Sequence, residues 1–564
     1  MLFTSHRLSL VTRRALLYDE GVPDNEAKGE ESKRDGELPE AGAIEAREAR
    51  APFVLALDAG TSSVRAAVYD ARGTEIRDTS ARINRGFHTT TDGGAELDAE
   101  EAIADAVSVI DDALARSPSE IASRIEAVAV ACFWHSLVGV NSDGRALTPV
   151  LGWADTRPAA QAEALRRALD ERAARRRTGC RFHASYWPAK ILWLRRERAE
   201  ASRGVSRWMS FGELLLLRLC GESKTSVSLA SGTGLFDQHS CDWDAPLFKE
   251  LNLDAGRVPE IAADGETFTL NSEYAGRWPQ LRGRRVFPAI GDGAANNVGE
   301  GSATRARAAL MIGTSAAMRV VYEGDPPGAL AESLWCYRVD RRRVVVGGAL
   351  SDGGGLREWL SETLALRADV ETDELANNEL ENAAHGDAIE KEVAGLRPDA
   401  HGLTVLPFWA GERSTGWHAE ARGAILGLTS HTRPVEILRA AMEAVAYRLA
   451  LVASSLEAHA PGATLTASGG ALRSSRAWTQ IVADVLGRPL NVSRVGEASS
   501  RGAVLLALEA MGEIKSVAEM SAPPGELFEP DAARHEIYRR GLERQQKFYE
   551  LLIDNQEKEE TKNT

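Results

Sequence analysis

The sequence predicts an α/β protein of two related domains facing each other across a cleft, and three observations carry that prediction. The first is an internal echo: Leu55–Asp70 (LALDAGTSSVRAAVYD) returns about 250 residues later as Ala308–Glu323 (AALMIGTSAAMRVVYE). Both copies read as an apolar strand, Gly-Thr-Ser, five residues, then Val-Tyr and an acid. That is the pattern of a strand–tight turn–strand hairpin. The second is length, 564 residues, enough for about three or four average domains or two large ones. The third is composition: 44% hydrophobic and 26% charged is ordinary globular usage, so most of the chain can bury a core. Chance similarity of two short hairpins is the alternative to duplication.

Taken in order, the chain divides into a disordered extension (1–50), a first domain (51–303), a second domain (304–554) and a disordered tail (555–564). Residues 1–18 carry arginines and no acid, faintly like a transit peptide, and Asp19–Arg50 has almost no large apolar residues. Such a run cannot bury enough surface to offset its ordering entropy. A start codon placed upstream of the true one accounts for the extension equally well.

Formal charge is −15, from 67 basic and 82 acidic residues. A basic footprint for nucleic acid is lacking, and anionic membrane surfaces should repel such a chain. The one basic run, Arg166–Arg177 (RRALDERAARRR), contains acids and no aromatics, and reads as the solvated face of a helix. No stretch of about 18 apolar residues exists, which excludes a spanning helix. Cys132, Cys180, Cys220, Cys241 and Cys336 lie far apart with no CxxC, so reduced thiols in a cytoplasmic enzyme are expected.

The two hairpins differ where chemistry would sit. Asp58 leads the first turn, and Met311 stands at the matching place in the second. A carboxylate before a turn of small and hydroxyl residues suits a magnesium–phosphate site, since backbone N–H groups and hydroxyls cradle phosphate oxygens. An Asp before Gly is also a common turn residue. Neither GxxxxGK[ST] nor GxGxxG occurs, and GxSxG and HExxH are missing too.

Over nearly all of Pro52–Asp554 the chain resembles the FGGY carbohydrate kinases. The most specific piece is GAILGLTSHTRPVEILRAAMEAV (Gly423–Val445), with Gly423, Gly427, Leu428, Glu436, Ile437, Ala440 and Glu443 at the family's spacing. SYWPAKILWLRRE (Ser185–Glu197) keeps Lys190, Trp193, Leu194 and Glu197 but has Trp187 where the family has Pro, Ser or Thr. GDGAANNVGEG (Gly291–Gly301) is similar to the family's catalytic loop, and Ser468–Leu490 to its adenosine-binding loop and following helix. The resemblance implies two ribonuclease-H-like (actin-like ATPase) domains flanking a cleft, with ATP and Mg²⁺ as cosubstrate and cofactor and a sugar as acceptor. A homodimer is compatible with it. Phe133–Val140, Gly152–Pro158 and Ser228–Asp237 are most similar to the gluconate-phosphorylating members, so D-gluconate to 6-phosphogluconate is the expected reaction. Xylulose or another pentulose or polyol is the alternative acceptor, and a non-catalytic actin-like nucleotide sensor the alternative class.

The resemblance also distributes roles. Asp292, between glycines after the apolar run VFPAIG, is the expected general base, with a turn Asp as the bland reading. Asp58 is the expected Mg²⁺ residue. Gly60, Thr61, Ser62, Ser63 and Arg65 are expected at the β/γ-phosphates, although Arg65 reads equally well as a solvated strand-face charge. Gly313 and Thr314 are expected on the opposite wall, with Gly354, Gly469, Gly470 and Ser474 at the nucleoside. Trp478 and Ile481 read as core. For the sugar the candidates are Trp134, which stacks or merely packs, His135, and Asp155 with Arg157, which bind hydroxyls or a carboxylate or hold each other. Lys190 either helps an acid group or caps its helix.

Overall fold

Runs of Val, Leu and Ala between turn residues make strands, and runs apolar throughout make strands covered on both faces. The computed structural model describes residues 42–554 apart from 365, 367–378 and 524. Its first sheet contains β1 (Phe53–Ala59), β2 (Ser63–Tyr69), β3 (Ala81–Asn84), β4 (Ile125–Cys132), β5 (Arg285–Val286) and β6 (Ile290–Gly291). All of β1, and all of β4 except Glu126, is buried. The second sheet contains β7 (Arg307–Ile312), β8 (Ala316–Glu323), β9 (Trp335–Arg338), β10 (Arg343–Leu350), β11 (Thr464–Ser468), β12 (Leu490–Val492) and β13 (Glu526–Phe528).

The two sheets follow one plan. The paths β3–β2–β1–β4–β5 and β10–β8–β7–β11–β12 each pair antiparallel, antiparallel, parallel, parallel. The echo in the sequence is therefore a duplicated fold. Each copy lays a helix between its last antiparallel strand and the parallel strand that follows, between β3 and β4 in the first and between β10 and β11 in the second. Helix α1 (Ala99–Arg116) starts at Asp98, whose side chain accepts from the N–H groups of Glu100 and Glu101. The matching helix in the second copy, with Pro434 at its first turn, is Pro434–Leu456.

Two more helices tie the copies together. Helix α2 (Asp292–Gly299) follows β6, and a later helix, Ala498–Ala510, follows β12. They pack on each other, and each also reaches the opposite sheet: Asp292–Gly299 meets β8, while Ala498–Ala510 lies on β1 and β4. Ala503, Val504, Leu505, Ala507 and Leu508 belong to the first core. Packing thus crosses the boundary expected between residues 303 and 304. The crossing needs glycine on both sides. A Cβ on Gly299 would stand 1.8 Å from the Ala498 carbonyl oxygen, and one on Gly502 1.8 Å from that of Ala295.

Residues 133–284, between β4 and β5, build a smaller core around Trp187, Leu194, Trp208 and Phe248. The basic run there is two helices, Ala159–Ala168 and Glu171–Thr178, because Asp170 accepts from Ala173 N–H and restarts the helix. The expectation of disorder through residue 50 is corrected for 42–50. Ile44 N–H donates to the Glu75 carbonyl, Arg77 N–H to that of Ile44, and Ala71 N–H to that of Arg50. Two backbone bonds from Ile44, with Ala46 and Ala49 packed on the first core, anchor the segment despite its polar composition. Residues 1–41 and the tail 555–564 lie outside the described residues. Among the described residues no helix is long and apolar enough to cross a membrane.

Candidate active site

Strand register brings the two carboxylates to one place. β1 and β6 flank β4, with Asp58 opposite Ala131, Ala59 opposite Cys132 and Gly291 opposite Cys132. Asp58 and Asp292 therefore leave the same edge of the sheet, the first into the Gly60–Ser62 turn and the second into the first turn of α2. Asp292 Oδ1 accepts from Gly293 N–H at 2.7 Å. Burial pushes the Asp292 carboxyl up to about 6, partly offset by the Arg319 guanidinium and reinforced by the nearby Asp58 charge. A carboxylate held near neutrality is poised to take a proton. Burial raises Asp58 as well, against the opposing pull of Arg65, Arg82 and Arg85.

The glycines around Asp292 are set by Trp134. A Cβ on Gly291 would stand 1.9 Å from the Trp134 indole and one on Gly293 2.6 Å from it. Trp134 donates its Nε1–H to the Ser228 carbonyl at 2.9 Å and packs edge-on against Trp335 and Tyr337. Of the two readings of this tryptophan, the geometry favours packing: it is the floor under the Asp292 loop. Arg65 faces Asp58 at 3.4 Å and also pairs with Glu497, which precedes the Ala498–Ala510 helix. It joins the two copies across the cleft instead of standing in solvent.

The second hairpin supplies the opposite wall. Gly313 N–H donates to Ser315 at 2.9 Å, as Gly60 N–H does to Ser63 at 3.0 Å. Parallel register sets Met311 opposite Ser468, so Gly469 and Gly470 lie beside the Gly313 turn. Gly469 has φ +100°, and a Cβ there would stand 2.3 Å from the Ile312 carbonyl oxygen. Gly354 N–H donates to Gly313 and Gly355 N–H to Thr314, so the Gly354 loop braces the turn directly. Thr314 and Ser62 are exposed at the two turn tips, and Ser63 is buried. Ser474 ends the short helix Gly470–Arg473, and its hydroxyl accepts from Arg357 at 3.3 Å. Trp478 and Ile481 are buried in the second core, as read from the sequence.

Among the residues expected at the sugar, His135 takes a positive φ of 67° and its Nδ1 donates to the Gly232 carbonyl at 2.6 Å. Burial drives its pKa well down, so the ring is neutral and Nε2 is left as an acceptor. Lys190 donates to the carbonyls of His135 and Gly152 at 2.6 and 2.8 Å. That ties two loops together, which neither sequence reading of Lys190 anticipated. Asp155 and Arg157 hold each other, with Arg157 also donating to Glu96 at 2.6 Å and lying over Trp193. The geometry favours the local ion pair among the readings of these two.

Four residues that sequence reasoning did not select complete the site. Arg319 on β8 is buried beside Asp292. Arg413 stacks over Trp153 at 4.5 Å and donates to the Leu350 carbonyl. Tyr186 and Tyr337, one from each copy, share a 2.6 Å hydroxyl contact. A lone arginine in the apolar run AAMRVVY was the available signal for Arg319.

For a metal, Asp58 offers a carboxylate beside hydroxyl-bearing turns on both walls, a donor set that fits Mg²⁺ with bound phosphate oxygens. Another candidate cluster among the described residues, Asp399, His401 and Glu443, is already engaged: Arg439 pairs with Glu443 at 2.7 Å and Arg544 with Asp399.

Family models agree with this geometry. Residues 53–299 match the N-terminal domain, and 308–511 the C-terminal domain, of the FGGY family of carbohydrate kinases. A gluconokinase of Bacillus subtilis is 27% identical over 485 residues, 84% of this chain and 91% of that one. A glycerol kinase of Dechloromonas aromatica is 30% identical over 497 residues, 85% and 94% of the two chains. Solved structures of a xylulose kinase and a gluconate kinase from Lactobacillus acidophilus each superpose with TM-score 0.77 at 24% identity, covering 89% of this chain and 98% of theirs, a likeness of fold. With both halves matched and the carboxylates meeting between the duplicated sheets, the chain belongs to the FGGY family of carbohydrate kinases.

Proposed function

We propose that this carbohydrate kinase transfers the γ-phosphoryl group of ATP to the terminal hydroxyl of D-gluconate, forming 6-phosphogluconate. The observation that carries the chemistry is Asp292, a carboxylate raised to about 6 at the head of a helix beside Asp58. In this reading Asp292 accepts the hydroxyl proton while the hydroxyl oxygen bonds to phosphorus and the bond to ADP breaks. Gly60–Ser63 and Gly313–Thr314 hold the phosphates from two walls, and Gly354, Gly469, Gly470 and Ser474 accommodate the nucleoside. His135 accepts from a sugar hydroxyl through Nε2. Arg65 shifts its pairing from Asp58 toward phosphate oxygens. Asp58 would hold Mg²⁺, which screens phosphate charge when bound. The choice of gluconate rests on the gluconokinases among the relatives. ADP release measured over gluconate, xylulose, ribulose, glycerol, fuculose and rhamnulose tests it, and gluconate should give the highest kcat/KM.

Each carboxylate carries its own expectation. Because Asp292 must be ionised to act as base, log kcat/KM should fall with unit slope as pH drops below about 6 and level off above it. A profile flat from pH 5 to 8 would exclude this base. Asp58→Asn should raise the Mg²⁺ concentration for half-maximal rate at least about tenfold, with KM for the sugar little changed. An unaltered Mg²⁺ titration would remove Asp58 from the metal.

A further inference from the structure

We propose that Arg319 is the residue that reads the carboxylate of the substrate, and so selects sugar acids over neutral sugars. The inference rests on the gluconate reading above and names how the site would enforce it. Arg319 lies mid-strand in β8 and is 6% exposed. Its Nη1 is buried with no hydrogen-bond partner, and it forms no ion pair among the described residues. The Asp292 charge acts on this guanidinium, but no hydrogen bond or ion pair among the described residues joins the two, so the buried Nη1 donor is left for an acceptor from outside.

Its direction is fixed by Gly293. A Cβ on Gly293 would stand 3.0 Å from Arg319 Nε, so the missing side chain lets the guanidinium lie against the backbone next to Asp292. A second cation shares the space: Arg413 spends one nitrogen on the Leu350 carbonyl, stacks on Trp153, and leaves Nε without a partner. The chain carries a formal charge of −15, so long-range attraction does not favour an anionic substrate and recognition falls to local groups. A planar carboxylate meets the donor fork of Arg319 two bonds at a time; a neutral sugar leaves the fork unsatisfied.

The test compares D-gluconate with D-gluconamide, which has the same shape without the charge, in a coupled ADP-release assay. Wild type should favour gluconate, and Arg319→Gln should lower kcat/KM for gluconate about 100-fold, mainly through KM. The same variant should cost gluconamide at least about tenfold less than gluconate, any loss shared by the two acceptors being the effect of Arg319 on Asp292, and Arg319→Lys should recover part of the gluconate loss. Thermal unfolding and ADP binding of each variant separate this from misfolding, with Arg319→Lys as the conservative control. An unchanged KM for gluconate, or equal losses on both acceptors, would overturn the inference. If wild type turns over a different sugar acid with the same Arg319 dependence, the gluconate reading fails and the inference stands. If it turns over only neutral sugars and Arg319→Gln is without effect, both fail.

Discussion

Asp292→Asn is expected to lower kcat about a thousandfold, with the thermal transition and ADP binding preserved. The amide keeps the shape of the side chain and its bond from Gly293 N–H, but it cannot accept the hydroxyl proton. A stability signature should accompany the loss. The folded-state pKa of Asp292 is raised above that of an unfolded aspartate, mainly by burial. Its protonated form is therefore compatible with the fold at low pH, and the ionised form weighs against folding as pH rises through about 6. The amide side chain has no charge to bury. The variant should be more stable than wild type at pH 8, and the difference should vanish near pH 4. Near-normal turnover, or a variant less stable than wild type at pH 8, would remove Asp292 from the role of buried base.

Gly502→Ala should destabilise the protein by about 3 kcal/mol and depress activity with it. The added Cβ meets the Ala295 carbonyl carbon and oxygen, at 2.6 and 1.8 Å, and the Gly299 amide nitrogen at 2.9 Å; these are backbone atoms of α2 that cannot rotate away. Separating the helices would displace the helix whose first residue is Asp292. Chemical denaturation checks the stability, and the rate at saturating substrate checks the coupling to the site. A change under about 0.5 kcal/mol, the range of an ordinary surface substitution, would contradict the close crossing.

Much of this arrangement was legible because it is written in short, local patterns. The GTS hairpins repeat in the chain, and the glycines flanking Asp292 mark a place where backbone must come near something large. That neighbour, Trp134, was not legible: a tryptophan after a strand looks alike whether it stacks on a ligand or fills a floor. Arg319 and Arg413 were missed for two different reasons. β8 is buried on both faces, so no polar–apolar alternation reveals which way Arg319 points. Arg413 lies outside regular secondary structure, and its packing on Trp153 depends on contacts some 260 residues apart in sequence. The crossing helix Ala498–Ala510 shows an apolar face locally, but nothing in it says which sheet that face will meet.

The most direct test is a crystal structure of the complex with Mg²⁺, a non-hydrolysable ATP analogue and D-gluconate. The account predicts the terminal hydroxyl of the sugar within hydrogen-bond distance of Asp292, the nucleotide phosphates between the Gly60 and Gly313 turns, and Mg²⁺ on the Asp58 side. A sugar bound with Asp292 facing away from every hydroxyl, or phosphates seated on only one of the two turns, would contradict it.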